Sequence, residues 1–286
     1  MGCALNDQPL TYEEKKQSLI YDIHKITKKD MVLAFSGGVD SSLLLKICCE
    51  EAKKNGTKVY AVTVHTELHP MKDLEIASKV AKEAGAEHII VHIDELEEAG
   101  IKNNPVDRCY LCKKCLFGKL KKKAEELKAG CIVEGTNEDD LHVYRPGIRA
   151  LKELAIVSPL AMNGITKAEV RKIAAEYGVS VANRPSTPCM ATRFPYGAAL
   201  DYNNMRHAEA GEEWIRKLGF YNVRIRVHDN IARIEIDKED MIRFLEIKDQ
   251  IIEKLKELGY DYVTLDLEGF RSGSMDLPKL IKQAVK

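Results

Sequence analysis

The chain carries no net charge: 44 Lys and Arg balance 44 Asp and Glu over 286 residues. That balance argues against bulk binding to nucleic acid and leaves room only for a local patch. No apolar run approaches the length of a membrane span. The N-terminus, Met1-Gly2-Cys3-Ala4-Leu5-Asn6-Asp7, has no apolar segment of the kind that starts a secretory signal. It also lacks the Ser or Thr of a myristoylation site. Internal repeats and low-complexity stretches are missing. A cytoplasmic protein of one large or two medium domains is expected.

What is present begins with Met31 to Phe35, five apolar residues that read as a buried strand. Ser36, Gly37 and Gly38 follow, and Asp40, Ser41 and Ser42 open an apolar helix. A strand, a Gly-rich turn and a helix N-terminus together bind phosphate. The glycines let the backbone approach, free N–H groups point at the ligand, and the helix dipole favours its charge. No Lys follows the glycines, so the loop is not of the G-x-x-x-x-G-K-[ST] type. It also lacks the spacing of dinucleotide binders. Further strands are expected at 58–64, 88–93, 131–134 and 156–160, with helices over 71–84, 113–128 and 166–177. Alternation of this kind means an α/β fold with a parallel sheet, whose ligands bind at the C-terminal strand ends. The Pro-rich stretch 183–197 reads as a loop between a domain over 1–190 and a smaller α+β domain over 191–286. In the latter, a helix over 202–218, a hairpin over 223–236, a helix over 239–258 and a strand over 262–267 are expected.

Eight cysteines are present. Cys48, Cys49 and Cys131 fall in apolar elements and read as core filler. Arg108-Cys109-Tyr110-Leu111-Cys112-Lys113-Lys114-Cys115 places three thiols at three-residue spacing where a helix starts. The helix dipole there is expected to lower thiol pKa. A four-Cys zinc site would need a second C-x-x-C, and there is none. Cys189, in a Pro-flanked loop, is the remaining candidate. Two thiols plus a third from a distant loop suit a [4Fe–4S] cluster with one iron left open. A redox dithiol or thiols without chemistry are the alternatives. At the end of the fourth strand, Gly135 and Asn137 could hold nucleotide or ribose, and a carboxylate, Asp140 first, could hold magnesium. Arg145, Arg193, Arg224, Arg226 and Arg271 form a scattered set suited to phosphate and carboxylate groups. The basic run from Lys113 to Lys123 is a solvated helix face or an RNA-contact patch.

The Ser36-Gly37-Gly38-Val39-Asp40-Ser41 loop resembles that of the PP-loop ATP pyrophosphatases, which split ATP between the α and β phosphates. Around it stand Asn104-Pro105-x-x-Arg108-Cys109-Tyr110-x-Cys112-Lys113, Gly135-Thr136-Asn137-x-Asp139-Asp140 and Tyr144-Arg145-Pro146-Gly147. Arg184-Pro185-Ser186-x-Pro188-Cys189-x-Ala191-Thr192-Arg193, Val223-Arg224-Ile225-Arg226-x-His228 and Leu265 to Ser274 complete the pattern. Together they resemble the LarE-type ATP-dependent sulfur transferases. The resemblance implies adenylation of a carboxylate of a pyridinium dicarboxylate mononucleotide. Replacement of the activated oxygen by sulfur then serves synthesis of the nickel-pincer cofactor of lactate racemase. Some members of that family give up the sulfur of their own single cysteine and are left with dehydroalanine. Members with three suitable cysteines resemble cluster enzymes that relay sulfur repeatedly. With Cys109, Cys112 and Cys189 this chain resembles the second kind, Cys115 being an extra thiol.

The resulting expectation is an enzyme in which Ser36, Gly37, Gly38, Asp40 and Ser41 hold ATP phosphates with magnesium nearby. Cys189, or sulfide on the cluster's open iron, attacks the acyl adenylate, and Arg193, Arg224, Arg226 and Arg271 clamp the substrate. A sulfide donor, other proteins of nickel-pincer cofactor synthesis and a homo-oligomer, a hexamer by the resemblance, are the expected partners. Rival readings are a tRNA thiolase of the PP-loop class, a glutamine-dependent amidotransferase and a nucleotide-binding regulator without chemistry.

Overall fold

The computed structural model describes residues 10–143, 145–184, 187–271 and 273–276. Cys3, Tyr144, Pro185, Ser186 and Ser272, named above, lie outside them. The chain divides into two compact units. The first comprises 1–65, 71–92 and 113–186; the second comprises 66–70, 93–112 and 187–286. Composition gives no sign that the two short segments 66–70 and 93–112 belong with the C-terminal part, because each sits between elements of the first unit.

In the first unit, α1 (Tyr12–Ile26) starts on Thr11, whose side chain and Glu14 form a reciprocal capping box. Strands β1 (Met31–Ala34), β2 (Val59–His65), β3 (Glu87–His92) and β4 (Ile132–Val133) form one parallel sheet in the order β3-β2-β1-β4. Helices α2 (Val39–Asn55) and α3 (Met71–Ala84) connect the strands. Period-two alternation sorts the strand side chains. Met31, Leu33, Val59, Ala61 and Val133 join one apolar cluster with α1, α2 and α3. Val32, Tyr60, Val62 and Ile132 join another with Phe117, Leu120 and Ala124. Those last three sit on α5 (Arg108–Glu126), which begins five residues before the expected start and passes from one unit to the other between Cys112 and Lys113. Cys48 is buried and Cys49 and Cys131 are partly buried against the first cluster.

Residues 156–160 do not form a strand. Val157 makes a single parallel bridge to Val133, and Pro159 starts the short α7 (Pro159–Met162). Proline has no N–H for a ladder, so the strand stops there. Between β4 and α7 lies α6 (Gly147–Glu153); Thr166, again with a capping box, starts α8 (Lys167–Glu176).

The second unit contributes α4 (Glu95–Glu98) and α9 (Tyr202–Lys217). Its sheet comprises β5 (Arg224–His228), β6 (Ile231–Glu235) and β7 (Tyr262–Leu265). β5 and β6 are antiparallel and β6 and β7 parallel. The long helix expected over 239–258 is two, α10 (Met241–Glu246) and α11 (Lys248–Glu257), interrupted at Ile247. Ile225, Val227, Ala232 and Ile234 face the unit's core; Arg224, Arg226, Arg233 and Glu235 share the opposite face. Among the described residues no helix is long and apolar enough to cross a membrane.

Candidate functional site

The phosphate-loop site is built where β1 and β4 neighbour each other while their helices lead away. That is the topological switch point at which open α/β sheets bind ligands. Gly37 has φ +69°, and a Cβ there would lie 2.9 Å from the Cα of Ala77. Only glycine meets both demands. Gly38 caps α2 with its backbone and no side-chain bond, which leaves the first N–H groups of α2 to a ligand. Ser41 donates its hydroxyl to the Gly38 carbonyl at 3.1 Å and stands 3.2 Å from the Ser36 hydroxyl. Gly135 lets the loop after β4 close in, since a Cβ there would sit 3.1 Å from both the Asp40 Cβ and the Ser41 nitrogen.

Asp40 ties the two loops together. Its carboxylate accepts from buried Asn137 at 3.0 Å and forms an ion pair with Lys167 at the start of α8. Lys167 carried no motif and was not anticipated; its only sequence signal is the capped start of α8 beside it. Arg184, which opens one of the quoted motifs but had no role assigned to it, is a second cation here, pairing with Asp73 and donating to the Gly37 carbonyl at 3.3 Å. The Asp140 carboxylate accepts the Asn137 backbone N–H, the Asp140 backbone N–H donates to the Asn137 side-chain amide oxygen, and the carboxylate pairs with Arg145 at 2.9 Å. Burial pushes its carboxyl pKa up, against the pull of Arg145. A divalent cation would offset that burial cost.

The second unit gathers the thiols. Cys109 and Cys112 come from its segment 93–112, and Cys189 from the start of its C-terminal part. Asn104, wholly buried, fastens the two segments: its amide donates to the carbonyls of Phe194 at 3.1 Å and Pro195 at 2.7 Å. It accepts from Arg108 at 3.0 Å, and that guanidinium stacks on Tyr196. Burial pushes the Cys189 thiol up to about 12, with the charges of Glu95 and Cys109 adding to the effect. Cys112 is pushed well up by burial, then by Glu95, Cys189 and Cys109. The lowering expected from the helix start is therefore overturned at Cys112, because desolvation outweighs the dipole. Cys115 falls in the other unit. Among the described residues no three His, Cys, Asp or Glu side chains converge on a single ion position.

The arginines divide into engaged and available groups. Arg193 is buried and bidentate to Glu212, both contacts at 2.9 Å. Arg226, also buried, pairs with Glu235 at 2.8 Å and donates to the Thr192 carbonyl. These two brace the second unit from inside. Arg224 by contrast donates to its neighbour's carbonyl, Val223, and lies over Phe270. Burial lowers its pKa to about 10, and nearby Arg193, Arg216 and Arg226 push the same way against Glu212. Arg271 pairs with Asp266 and Glu268 at the surface.

The Arg193–Glu212 pair yields a stability prediction. Burial alone would raise Glu212, but the Arg193 charge and hydrogen bonds win and hold it below the usual carboxylate range. A depressed folded pKa gives stability that is present above about pH 4.3 and lost as pH falls through the folded value. Glu212→Ala strands a buried guanidinium and is expected to cost about 3–5 kcal/mol in urea unfolding at neutral pH. A cost under about 1 kcal/mol would mean that water solvates Arg193 instead.

This fold and loop define an ATP-binding PP-loop protein, and the PP-loop domain family matches residues 10–142. The chain is 35% identical over 266 residues to the pyridinium-3,5-bisthiocarboxylic acid mononucleotide synthase of Lactiplantibacillus plantarum, covering 93% of this chain and 95% of the relative. It belongs to that synthase's family, the LarE type. An uncharacterised protein of Synechocystis is 36% identical, with 86% of this chain and 91% of the relative covered. The tRNA-specific 2-thiouridylase of Rickettsia bellii is more distant, at 27% identity over 55% of this chain and 52% of its own.

Proposed function

We propose that the protein is an ATP-dependent sulfur transferase. It adenylates a carboxylate of pyridinium-3,5-biscarboxylic acid mononucleotide and converts it to a thiocarboxylate, the product class in the relative's name. The observation that carries this reading is Asp40, held by Asn137 and Lys167 at the mouth of a helix whose first N–H groups are free. The substrate carboxylate oxygen attacks the α phosphorus, and pyrophosphate leaves. The N–H groups of α2 and Lys167 stabilise the charge that develops on the phosphates. Asp40, with Asp140 nearby, supplies the oxygen donors for magnesium. A sulfur nucleophile then attacks the acyl adenylate carbon and AMP departs.

Cys109, Cys112 and Cys189 are the residues that would hold a [4Fe–4S] cluster. What supports the reading is that the three thiols belong to one unit and that the charges of Cys109 and Cys189 act on Cys112. When bound, the cluster would present sulfide at an iron that no cysteine occupies. A free Cys189 thiol with a pKa near 12 is a poor nucleophile at neutral pH, which weighs against its giving up its own sulfur unaided.

Arg224 is the substrate-facing cation of this reading, its charge poorly compensated within the protein. Arg224→Ala is expected to weaken substrate binding by roughly 1.5–3 kcal/mol and leave ATP affinity unchanged. Calorimetric titration with the pyridinium mononucleotide checks this, and an unchanged Kd would move the clamp to Arg271. A sulfide donor, partner proteins of nickel-pincer synthesis, a reducing cytoplasmic setting and a homo-oligomer complete the proposal. The deciding assay is pyrophosphate release, expected with the pyridinium mononucleotide and absent without it. A tRNA gel shift tests the thiolase alternative. Lysines of the basic run already pair with acids, Lys114 with Glu153 and Lys123 with Glu126, which weakens the case for an RNA patch.

A further inference from the structure

Arg184 has no part in the reaction proposed above, yet both arms of its guanidinium are engaged beside the phosphate loop. Nη1 donates to the Gly37 carbonyl at 3.3 Å, 147 positions away, and Nη2 pairs with Asp73. The two side chains are 18% and 19% exposed, so this is not one of the freely solvated pairs that contribute little. Asp73 lies in the first turn of α3, where the helix dipole favours its charge. Ala77, one turn further along α3, is the residue whose Cα a Cβ on Gly37 would approach to 2.9 Å. The same helix therefore limits Gly37 and carries the anion that holds Arg184.

The backbone that carries Arg184 is itself fixed. Arg171, on α8, donates to the carbonyls of Ala182 at 2.7 Å and Arg184 at 3.1 Å. Val181 and Ala182 are buried in the apolar cluster that includes residues of α2 and α3. All of these residues belong to the first unit. The held oxygen belongs to the peptide between Gly37 and Gly38. That peptide is planar and trans, so its carbonyl and its N–H point in opposite directions. A cation that holds the Gly37 oxygen thereby sets the direction of the Gly38 N–H. The Ser36 hydroxyl accepts that N–H only at a long 3.4 Å. Two successive glycines leave this peptide little restraint of its own, so an outside hold matters here. Preorganised donors bind an anion better than donors that must first be ordered.

We propose that Arg184 is a positioning residue for the ATP phosphates: its fork locks the Gly37–Gly38 peptide to α3 so that the Gly38 N–H faces the phosphate oxygens. It acts through the backbone and does not touch the nucleotide. The inference rests on the ATP-binding reading of the loop. Lys cannot replace Arg184, because an ammonium on a flexible stem lacks the planar fork that reaches Gly37 and Asp73 together.

The test uses the full chain with magnesium. Calorimetric titration reads ATP and pyrophosphate binding, and amide hydrogen exchange over residues 35–43 reads the loop without nucleotide. Arg184→Met should exchange faster over that stretch and bind both anions about tenfold more weakly or worse. Arg184→Lys should resemble it. In both, KM for ATP should rise while KM for the pyridinium mononucleotide keeps its wild-type value. Asp73→Ala should also weaken ATP binding, and adding it to Arg184→Met should change little more, since the two residues act as one brace. A merely structural arginine would lower the urea midpoint and leave ATP affinity and loop exchange of the folded protein unchanged; that result would overturn the role. Full recovery of ATP affinity in Arg184→Lys would overturn the fork in favour of a simple charge. Should the Met variant fail to fold, the Lys variant decides by the same two readings. Wild type that binds neither ATP nor pyrophosphate would overturn the ATP reading and this inference with it.

Discussion

Asp40→Asn should release pyrophosphate at least about 10²-fold more slowly than the wild type, with the fold intact. The side chain keeps its shape, so the hydrogen bond with Asn137 can survive in reorganised form. What disappears is the negative charge that holds Lys167 and would attract magnesium. Asp40 is partly exposed and lies outside the apolar clusters, so unfolding by urea should shift by under about 1 kcal/mol. Lys167→Ala should reduce the same step, because its ammonium is the cation that the Asp40 carboxylate holds beside the phosphate loop. A folded Asp40→Asn protein with the wild-type rate of pyrophosphate release would remove Asp40 from the chemistry.

Replacing any of Cys109, Cys112 or Cys189 by Ser should abolish thiocarboxylate formation while pyrophosphate release continues. The separation is expected because the thiols belong to one unit and the phosphate loop to the other. Loss of one anchor exposes a cluster to hydrolysis, so all three single variants should lose iron together. Cys115→Ser should retain both iron and product, as Cys115 falls in the other unit. Wild type supplied with sulfide should form more than one product per chain. A single turnover, with Cys189 converted to dehydroalanine in iron-loaded protein, would sink the cluster route and restore the sacrificial one.

The α/β class and the phosphate loop were legible in the residues alone because their signals are local. Strand β1, the glycines and the start of α2 lie within a dozen positions, and the positive φ of Gly37 belongs to that turn, while the close approach of Ala77 that also requires it is tertiary. The capping box at Thr166 is equally local. Where local signals conflicted, the expectation failed: Val157 reads as strand, but Pro159 ends the ladder after one bridge.

Charged side chains were not legible in the same way, because a charge acquires its role from what faces it across the fold. Arg193, Arg224 and Arg226 look alike in sequence. Tertiary packing buries the first and third against Glu212 and Glu235, and among the described residues the second makes no ion pair of its own. Lys167 reaches Asp40 across 127 positions, and Asn104 fastens segment 93–112 to the carbonyls of Phe194 and Pro195 some ninety positions on. Sequence by itself determined the elements, the phosphate loop and the thiol inventory, since backbone preference and periodicity act over a few residues. Only the tertiary structure decided which carboxylate holds which cation, since Coulomb energy and desolvation depend on distances that no spacing in the chain records.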